Sequence, residues 1–214
     1  MPERLLGPLA APTVVACSPR ERCKDALRRA LARRRAKLSF VRGRDELAAL
    51  LHSTLVDAVI VDLGQATEET WTVAAAAREF PSIPFFAYAA LRPAELPLLT
   101  RACHLEFADC IAEGVEDEIC RDLLLPATFT VRFATALRGA ESRLGLTTPL
   151  QHEAWRYVVA QGGRTVRTEA IAAAVGLTRE HLSRRFSADG APNLKRVIDL
   201  VRLLAAAELA KNPG

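Results

Sequence analysis

Five short apolar runs, rich in β-branched and aromatic residues, punctuate the first 125 positions, at residues 13–17, 37–41, 57–63, 83–88 and 106–111. Between and after them lie stretches whose apolar residues recur at helical spacing, at 19–35, 44–52, 68–80, 93–103 and 115–125. In the first of these, Cys23, Ala26, Leu27, Ala30 and Leu31 share a face, with Ser18 placed to cap and Pro19 in the first turn. Leu38 and Phe40 alternate with Lys37 and Ser39, as in a strand covered on one side. The run from Asp57 to Leu63 is apolar on both faces, which suits a central strand of a parallel sheet. In the last helical stretch Ile119, Leu123 and Leu124 turn inward. Strands alternating with helices in this way predict an α/β domain with a flavodoxin-like five-stranded parallel sheet and helices on both faces.

Beyond residue 125 the strand pattern stops and an all-α unit is expected. Pro126 is read as restarting a helix, in which Phe129, Phe133 and Leu137 form a stripe at i, i+4 and i+8. Gly139, Gly145, Thr147, Thr148 and Pro149 then punctuate a boundary. The expected organisation is an α/β domain at 1–125, a connecting helix and linker at 126–148, and a helical domain at 149–214. The latter opens with a helix at 150–160 that carries Trp155, Val158 and Val159 and ends at Gly162 and Gly163.

Two short helices and a turn follow. Thr168 stands before an apolar run through Ile171, Ala172 and Val175, where its hydroxyl can cap the helix. Gly176 ends that helix, and Thr178 caps a second one carrying His181, Leu182 and Phe186. Ala172, Gly176 and Leu182 sit where a helix-turn-helix needs a small residue, a turn former and a core residue. Leu182 and Phe186, four apart, face inward, which leaves Arg179, Glu180, Ser183, Arg184 and Arg185 on the face that would enter a DNA major groove. Arginine pairs in two-pronged fashion with guanine edges and with phosphate. The same spacing also suits an ordinary helical hairpin with a solvated basic face.

Composition adds three limits. The chain is 214 residues long, half apolar and a quarter charged, enough for two small domains. It contains no uncharged apolar window of about 18 residues, and its first 22 residues make a poor secretory signal, so no membrane partner and a cytoplasmic location are expected. Cys17, Cys23, Cys103, Cys110 and Cys120 form no C-x-x-C pair, which fits buried thiols in a reducing compartment and no metal site. The net charge of +4 resides entirely in residues 139–214, since Lys+Arg and Asp+Glu cancel at 18 each before that point. That asymmetry favours a nucleic-acid partner for the C-terminal third. The densest basic run, from Arg33 to Lys37, is read as an exposed helix end favoured by the helix dipole.

The segment IAAAVGLTREHLSRRF, a loop containing Gly190, and NLKRVIDLVRLLAAAELAKNPG together resemble the first half of the DNA-binding region of the AraC/XylS family of transcription regulators. The resemblance covers roughly residues 150–214 and includes the run from Leu182 to Phe186. That family carries two helix-turn-helix units joined by a long helix, and the residues here match only the first. It implies double-stranded DNA as partner. Thr178 would start the reading helix, Arg179, His181, Ser183 and Arg184 would meet bases, and Arg185, Arg164, Arg167, Lys195 and Arg196 would meet phosphates.

The first 125 residues resemble the receiver domain of bacterial response regulators, with Asp62 at the position of the phosphorylated aspartate. The remaining motif positions depart from it. Receivers hold Mg²⁺ with an acidic pair after the first strand, where this chain has Cys17-Ser18-Pro19. The Ser or Thr expected at the end of the fourth strand is Ala89, and the Lys expected after the fifth is Glu113, followed by Gly114. The expectation is a degenerate receiver that is not phosphorylated on Asp62 and uses no cofactor. Its resemblance implies homodimerisation through Leu98, Leu99, Ile119 and Leu123, although these apolar residues also suit simple coverage of the sheet. The four histidines fall in no catalytic frame, and no P-loop, G-x-S-x-G or dinucleotide fingerprint is present. An enzyme is therefore not expected. Two functions remain open: a dimeric transcription regulator, or an adaptor whose helix-turn-helix meets a protein.

Overall fold

The computed structural model describes residues 10–32 and 36–211. The basic residues Arg33, Arg34 and Arg35 and the final Asn212-Pro213-Gly214 lie outside them. The described chain divides into two compact units, one of Ala11–Phe129 with residues 209–211 and the other of Ala10 with Thr130–Glu208. Of residues 126–148, expected as a connector, 126–129 cluster with the first unit and 130–148 with the second.

The first unit runs β1 (Thr13–Cys17), α1 (Glu21–Leu31), β2 (Lys37–Val41), α2 (Arg44–Ser53), β3 (Ala58–Asp62), α3 (Glu68–Ala74), α4 (Ala76–Glu79), β4 (Phe85–Ala89), α5 (Leu96–His104), β5 (Asp109–Ala112) and α6 (Asp117–Ala127). All strand pairs are parallel, in the order β2-β1-β3-β4-β5, which is the flavodoxin-like, receiver-like arrangement. Strand alternation sorts the core into two layers. Val15, Val59, Val61, Phe85 and Ala87 pack on one side with Leu47, Trp71, Val73 and Ala102. Val14, Ala16, Ile60, Phe86, Tyr88 and Ile111 pack on the other with Cys23, Leu27, Cys120 and Leu124. β3 and β4 are buried along their whole length. Each such Val, Ile or Phe side chain contributes about 1.5–3 kcal/mol by leaving water.

Three local expectations change. α1 begins at Glu21 and not at Pro19; Arg20 is its N-cap in extended conformation, with no side-chain cap bond. Residues 68–80 form two helices, α3 and α4, that meet at Ala75. Pro126 lies inside the last turn of α6 and starts no helix. No described helix is long and apolar enough to cross a membrane.

The second unit contains α7 (Phe129–Ala136, whose first residue belongs to the first unit), α8 (Ala140–Arg143), α9 (Pro149–Ala160), α10 (Thr168–Ala174), α11 (Arg179–Phe186) and α12 (Leu194–Leu209). Its core gathers Trp155 and Val158 of α9, Ile171 and Ala172 of α10, Leu182 and Phe186 of α11, and Val197, Ile198 and Val201 of α12. Gln151 is wholly buried at the start of α9. Its amide oxygen accepts from the Thr147 and Thr148 N–H groups at 2.8 and 2.9 Å, and its amide nitrogen donates to the Phe186 carbonyl at 2.8 Å. This one side chain therefore fixes the end of α11 against the start of α9. Between α10 and α11, Gly176 takes φ +70°, a conformation that a side chain would strain.

Candidate functional site

In the first unit the chain leaves β1 for β2 on one side and β3 on the other. Such a reversal opens a crevice at the carboxyl ends of the strands, where ligands of α/β sheets bind. Asp62 closes β3 at that point and is buried. Its Oδ2 accepts from the Ser18 hydroxyl at 2.5 Å and from Arg20 Nε at 2.8 Å. Its Oδ1 accepts from Arg20 Nη2 at 2.5 Å and from the Gly64 N–H at 3.0 Å. Arg20 also donates through Nη1 to Glu113 Oε2 at 2.9 Å, and Arg22 Nε lies 3.5 Å from Glu113 Oε1. One guanidinium thus ties the end of β1 to the end of β3 and to the turn after β5.

The local sequence makes room for it. A Cβ on Gly64 would collide with the Arg20 guanidinium, so the missing side chain is what lets the arginine lie across the crevice. Ser18 spends its hydroxyl on Asp62 and also accepts from the Arg20 N–H at 3.0 Å, so it fixes the clamp and does not cap α1. The hydrogen bonds to Asp62 raise the Arg20 pKa further above its already high value, so the guanidinium stays charged. Burial pushes the Cys23 thiol up to about 12, helped by Asp62, and the Cys17 thiol up to about 11, helped by Glu69, Asp62 and Glu46. Tyr88, whose ring lies 5.9 Å from the Arg20 guanidinium carbon, is likewise pushed up to about 12 by burial. These thiols and the phenol stay protonated and unreactive near neutral pH.

This chemistry does not fit Mg²⁺. An ionised carboxylate offers about four lone-pair directions, and Asp62 already accepts four hydrogen bonds. The second carboxylate, Glu113, is engaged by the same arginine, and the guanidinium occupies the space between them with the wrong sign of charge. Sequence reasoning placed Ser18, Asp62, Ala89 and Glu113 at the strand ends but missed Arg20. No local signal marked it, because its partners Asp62 and Glu113 lie 42 and 93 residues further along the chain.

The second unit presents the opposite situation. On α11, Leu182 and Phe186 are fully buried while Arg179, His181, Ser183, Arg184 and Arg185 are exposed. The Thr178 hydroxyl accepts from the His181 N–H at 3.2 Å, which fixes the first turn. Arg184 and Arg185 form no ion pair among the described residues. Arg179 Nη1 lies 3.1 Å from Glu169 Oε1 of α10. Lys195 and Arg196 are exposed at the start of α12, which is capped by Asn193 Oδ1 accepting from the Arg196 N–H at 2.8 Å. Arg167 is exposed and serves as the N-cap of α10, so Thr168 is the first helical residue and not the cap. Arg164 is half-buried and turned into its own unit, donating to Thr130 Oγ1 at 2.7 Å and to the Gln161 carbonyl at 3.2 Å. Its guanidinium is thus partly engaged within its unit, while the others are exposed.

The expected dimer residues also separate. Leu98 and Leu99 are half-buried against the sheet core. Ile119 and Leu123, one turn apart on α6, are 47% and 41% exposed. The inward residues of α6 are Cys120 and Leu124, so Ile119 and Leu123 do not cover the sheet as the periodicity suggested. Leu91 and Leu96 are exposed as well.

No protein-family model matches the chain, and no curated protein matches its sequence. Similar solved structures include the N-terminal signal receiver domain of a two-component response regulator from Bacteroides fragilis. It is 16% identical, with 55% of this chain and 97% of that chain covered and a TM-score of 0.48. The signal receiver domain of an HD domain-containing protein from Pseudomonas fluorescens is 23% identical over 54% of this chain and 90% of its own, with a TM-score of 0.45. Full-length FixJ from B. japonicum is 12% identical over 92% of this chain and 98% of its own, with a TM-score of 0.44.

Proposed function

We propose that the chain is a DNA-binding transcription regulator in which α10 and α11 form an AraC-type helix-turn-helix and α11 reads the major groove. The observation that carries this reading is the sorted surface of α11. Its apolar residues are fully buried, its first turn is capped, and Arg179, His181, Ser183, Arg184 and Arg185 all face solvent. Such a helix can place base-reading side chains in the groove, with Arg185, Arg167, Lys195 and Arg196 on phosphates. The receiver-like unit works without phosphorylation, because the Asp62 carboxylate that would attack a phosphoryl group has its lone pairs committed to Ser18, Arg20 and Gly64. No enzymatic step is assigned to it. Its role is to pair two copies through the α6 surface of Ile119 and Leu123, which places two reading heads on one duplex. The exposed free thiol of Cys103 fits a cytoplasmic protein.

Selection of bound duplexes from a randomised pool at near-physiological salt tests the proposal. An enriched motif repeated at about one helical turn, 10–10.5 base pairs, is the expected result for a dimer with one head per chain. Retention of random sequence alone would overturn it. A second reading, an adaptor that binds a protein, is favoured by Leu203 and Leu204 of α12, which are exposed although fully apolar. Salt separates the two: affinity through several phosphates falls steeply as salt rises, whereas an apolar protein interface holds.

A further inference from the structure

We infer that Glu169 positions Arg179 for reading a guanine edge, and so sets specificity without touching DNA. The inference rests on the DNA-binding reading above. Arg179 is the first residue of α11, and in helix-turn-helix docking the N-terminal residues of the second helix meet base edges. The Thr178 cap fixes the backbone of that turn. The side chain is 62% exposed and would otherwise sample many rotamers. Glu169, in the first turn of α10, holds Nη1 at 3.1 Å and leaves the edge formed by Nε and Nη2 open. That open edge has the fork geometry that guanine O6 and N7 accept. An exposed ion pair of this kind is weak, so it biases the Arg179 side chain towards this orientation a few-fold. The carboxylate also brings a negative charge towards phosphate. Glu169 therefore weakens binding to random duplex while it sharpens the choice of base.

The test uses the full chain and measures Kd on the selected duplex, on single-base variants of it, and on random duplex. Arg179→Lys keeps the charge but removes the fork. It is expected to lose a guanine preference of about tenfold at one position while overall affinity stays within a few-fold. Glu169→Gln is expected to lower the preference at that same position about two- to threefold and to bind random duplex about two- to threefold more tightly. Thermal melting checks that both variants fold, which the exposure of the two side chains favours. Equal tightening on every duplex, with the preference intact, would overturn the inference and make Glu169 a mere competitor for Arg179. A preference lost at a different position from that of Arg179→Lys would overturn it too. Failure of the unmodified chain to select any motif would instead remove the DNA reading, and this inference with it.

Discussion

The strand-end crevice of the α/β unit and the outer face of α11 both concentrate charged residues, yet they are built in opposite ways. In the crevice every charge finds its partner within the fold: Arg20 takes both Asp62 oxygens and reaches Glu113, and the neighbouring thiols are buried and protonated. On α11 the apolar residues are spent on the core and Arg184 and Arg185 are left facing water. A buried charge cluster that is internally complete costs desolvation and returns rigidity. An exposed arginine face stays hydrated and incurs no such desolvation cost, and it remains free to pair with an anion such as phosphate. The position that the fold offers as a reactive site is therefore the closed one, and the region with open chemistry is the helical one.

Breaking the crevice should have the largest effect. Arg20→Ala leaves a buried carboxylate without its cation and should lower the stability of the α/β unit by about 3 kcal/mol, the low end for a broken buried pair because the guanidinium retains some water. Hydrogen exchange of β1 and β3 amides reads that loss unit by unit. Arg20→Ala combined with Asp62→Ala should cost clearly less than the sum of the two single changes, and simple additivity would show that the two groups are not coupled. Gly64→Ala should act through the same contact, because its methyl displaces the guanidinium. About 2 kcal/mol is expected by urea titration, against a few tenths if the arginine simply moves aside.

On the other side of the comparison, Arg184→Ala should leave the urea midpoint of the helical unit within about 0.5 kcal/mol. It should weaken the selected duplex by about 1–3 kcal/mol while random duplex loses far less. Equal losses on both would assign Arg184 to phosphate. The smallest effect concerns pH. Cys17, Cys23 and Cys120 are raised by burial from 9.0 to about 11, 12 and 11. The unfolded chain thus ionises these thiols first. Their contribution to stability is complete below about pH 9 and is lost as pH rises towards 11–12, at no more than about 1.4 kcal/mol per pH unit for each thiol. Cys23→Ala should flatten the alkaline slope of the thermal midpoint, and an unchanged slope would show that this thiol does not contribute.

The same contrast governs how much was legible in the sequence. β1 and β2 run over the residues their patterns mark, and the two-sided apolar character of 57–63 identifies β3 as central. The helical face was equally readable, because Thr178, Gly176, Leu182 and Phe186 act on neighbours within one or two turns. β5 was read early, over 106–111: the strand spans Asp109–Ala112, and Glu106 turns the chain at φ +63° before it. Ser18 carried a local signal for a helix cap, but a carboxylate 44 residues away claims its hydroxyl. Arg20 carries no local signal of its partners, because it is the closed sheet that brings Asp62 and Glu113 to it. Gln151 likewise reads as an ordinary polar residue, and only the packing of α9 against α11 reveals its bond to Phe186, 35 residues on. Local chemistry survives in the pattern, and partnerships made by topology do not.

The most direct test is to titrate the full chain with its selected duplex at near-physiological salt, before and after incubation with Mg²⁺ and acetyl phosphate, with intact mass read on the same samples. Unchanged affinity with no phosphoryl adduct is the result that the proposed function predicts, since Arg20, Ser18 and Gly64 hold the Asp62 carboxylate. An adduct on Asp62 accompanied by a shift in affinity would contradict it, and would mean that the clamp opens and that the crevice controls the reading helix.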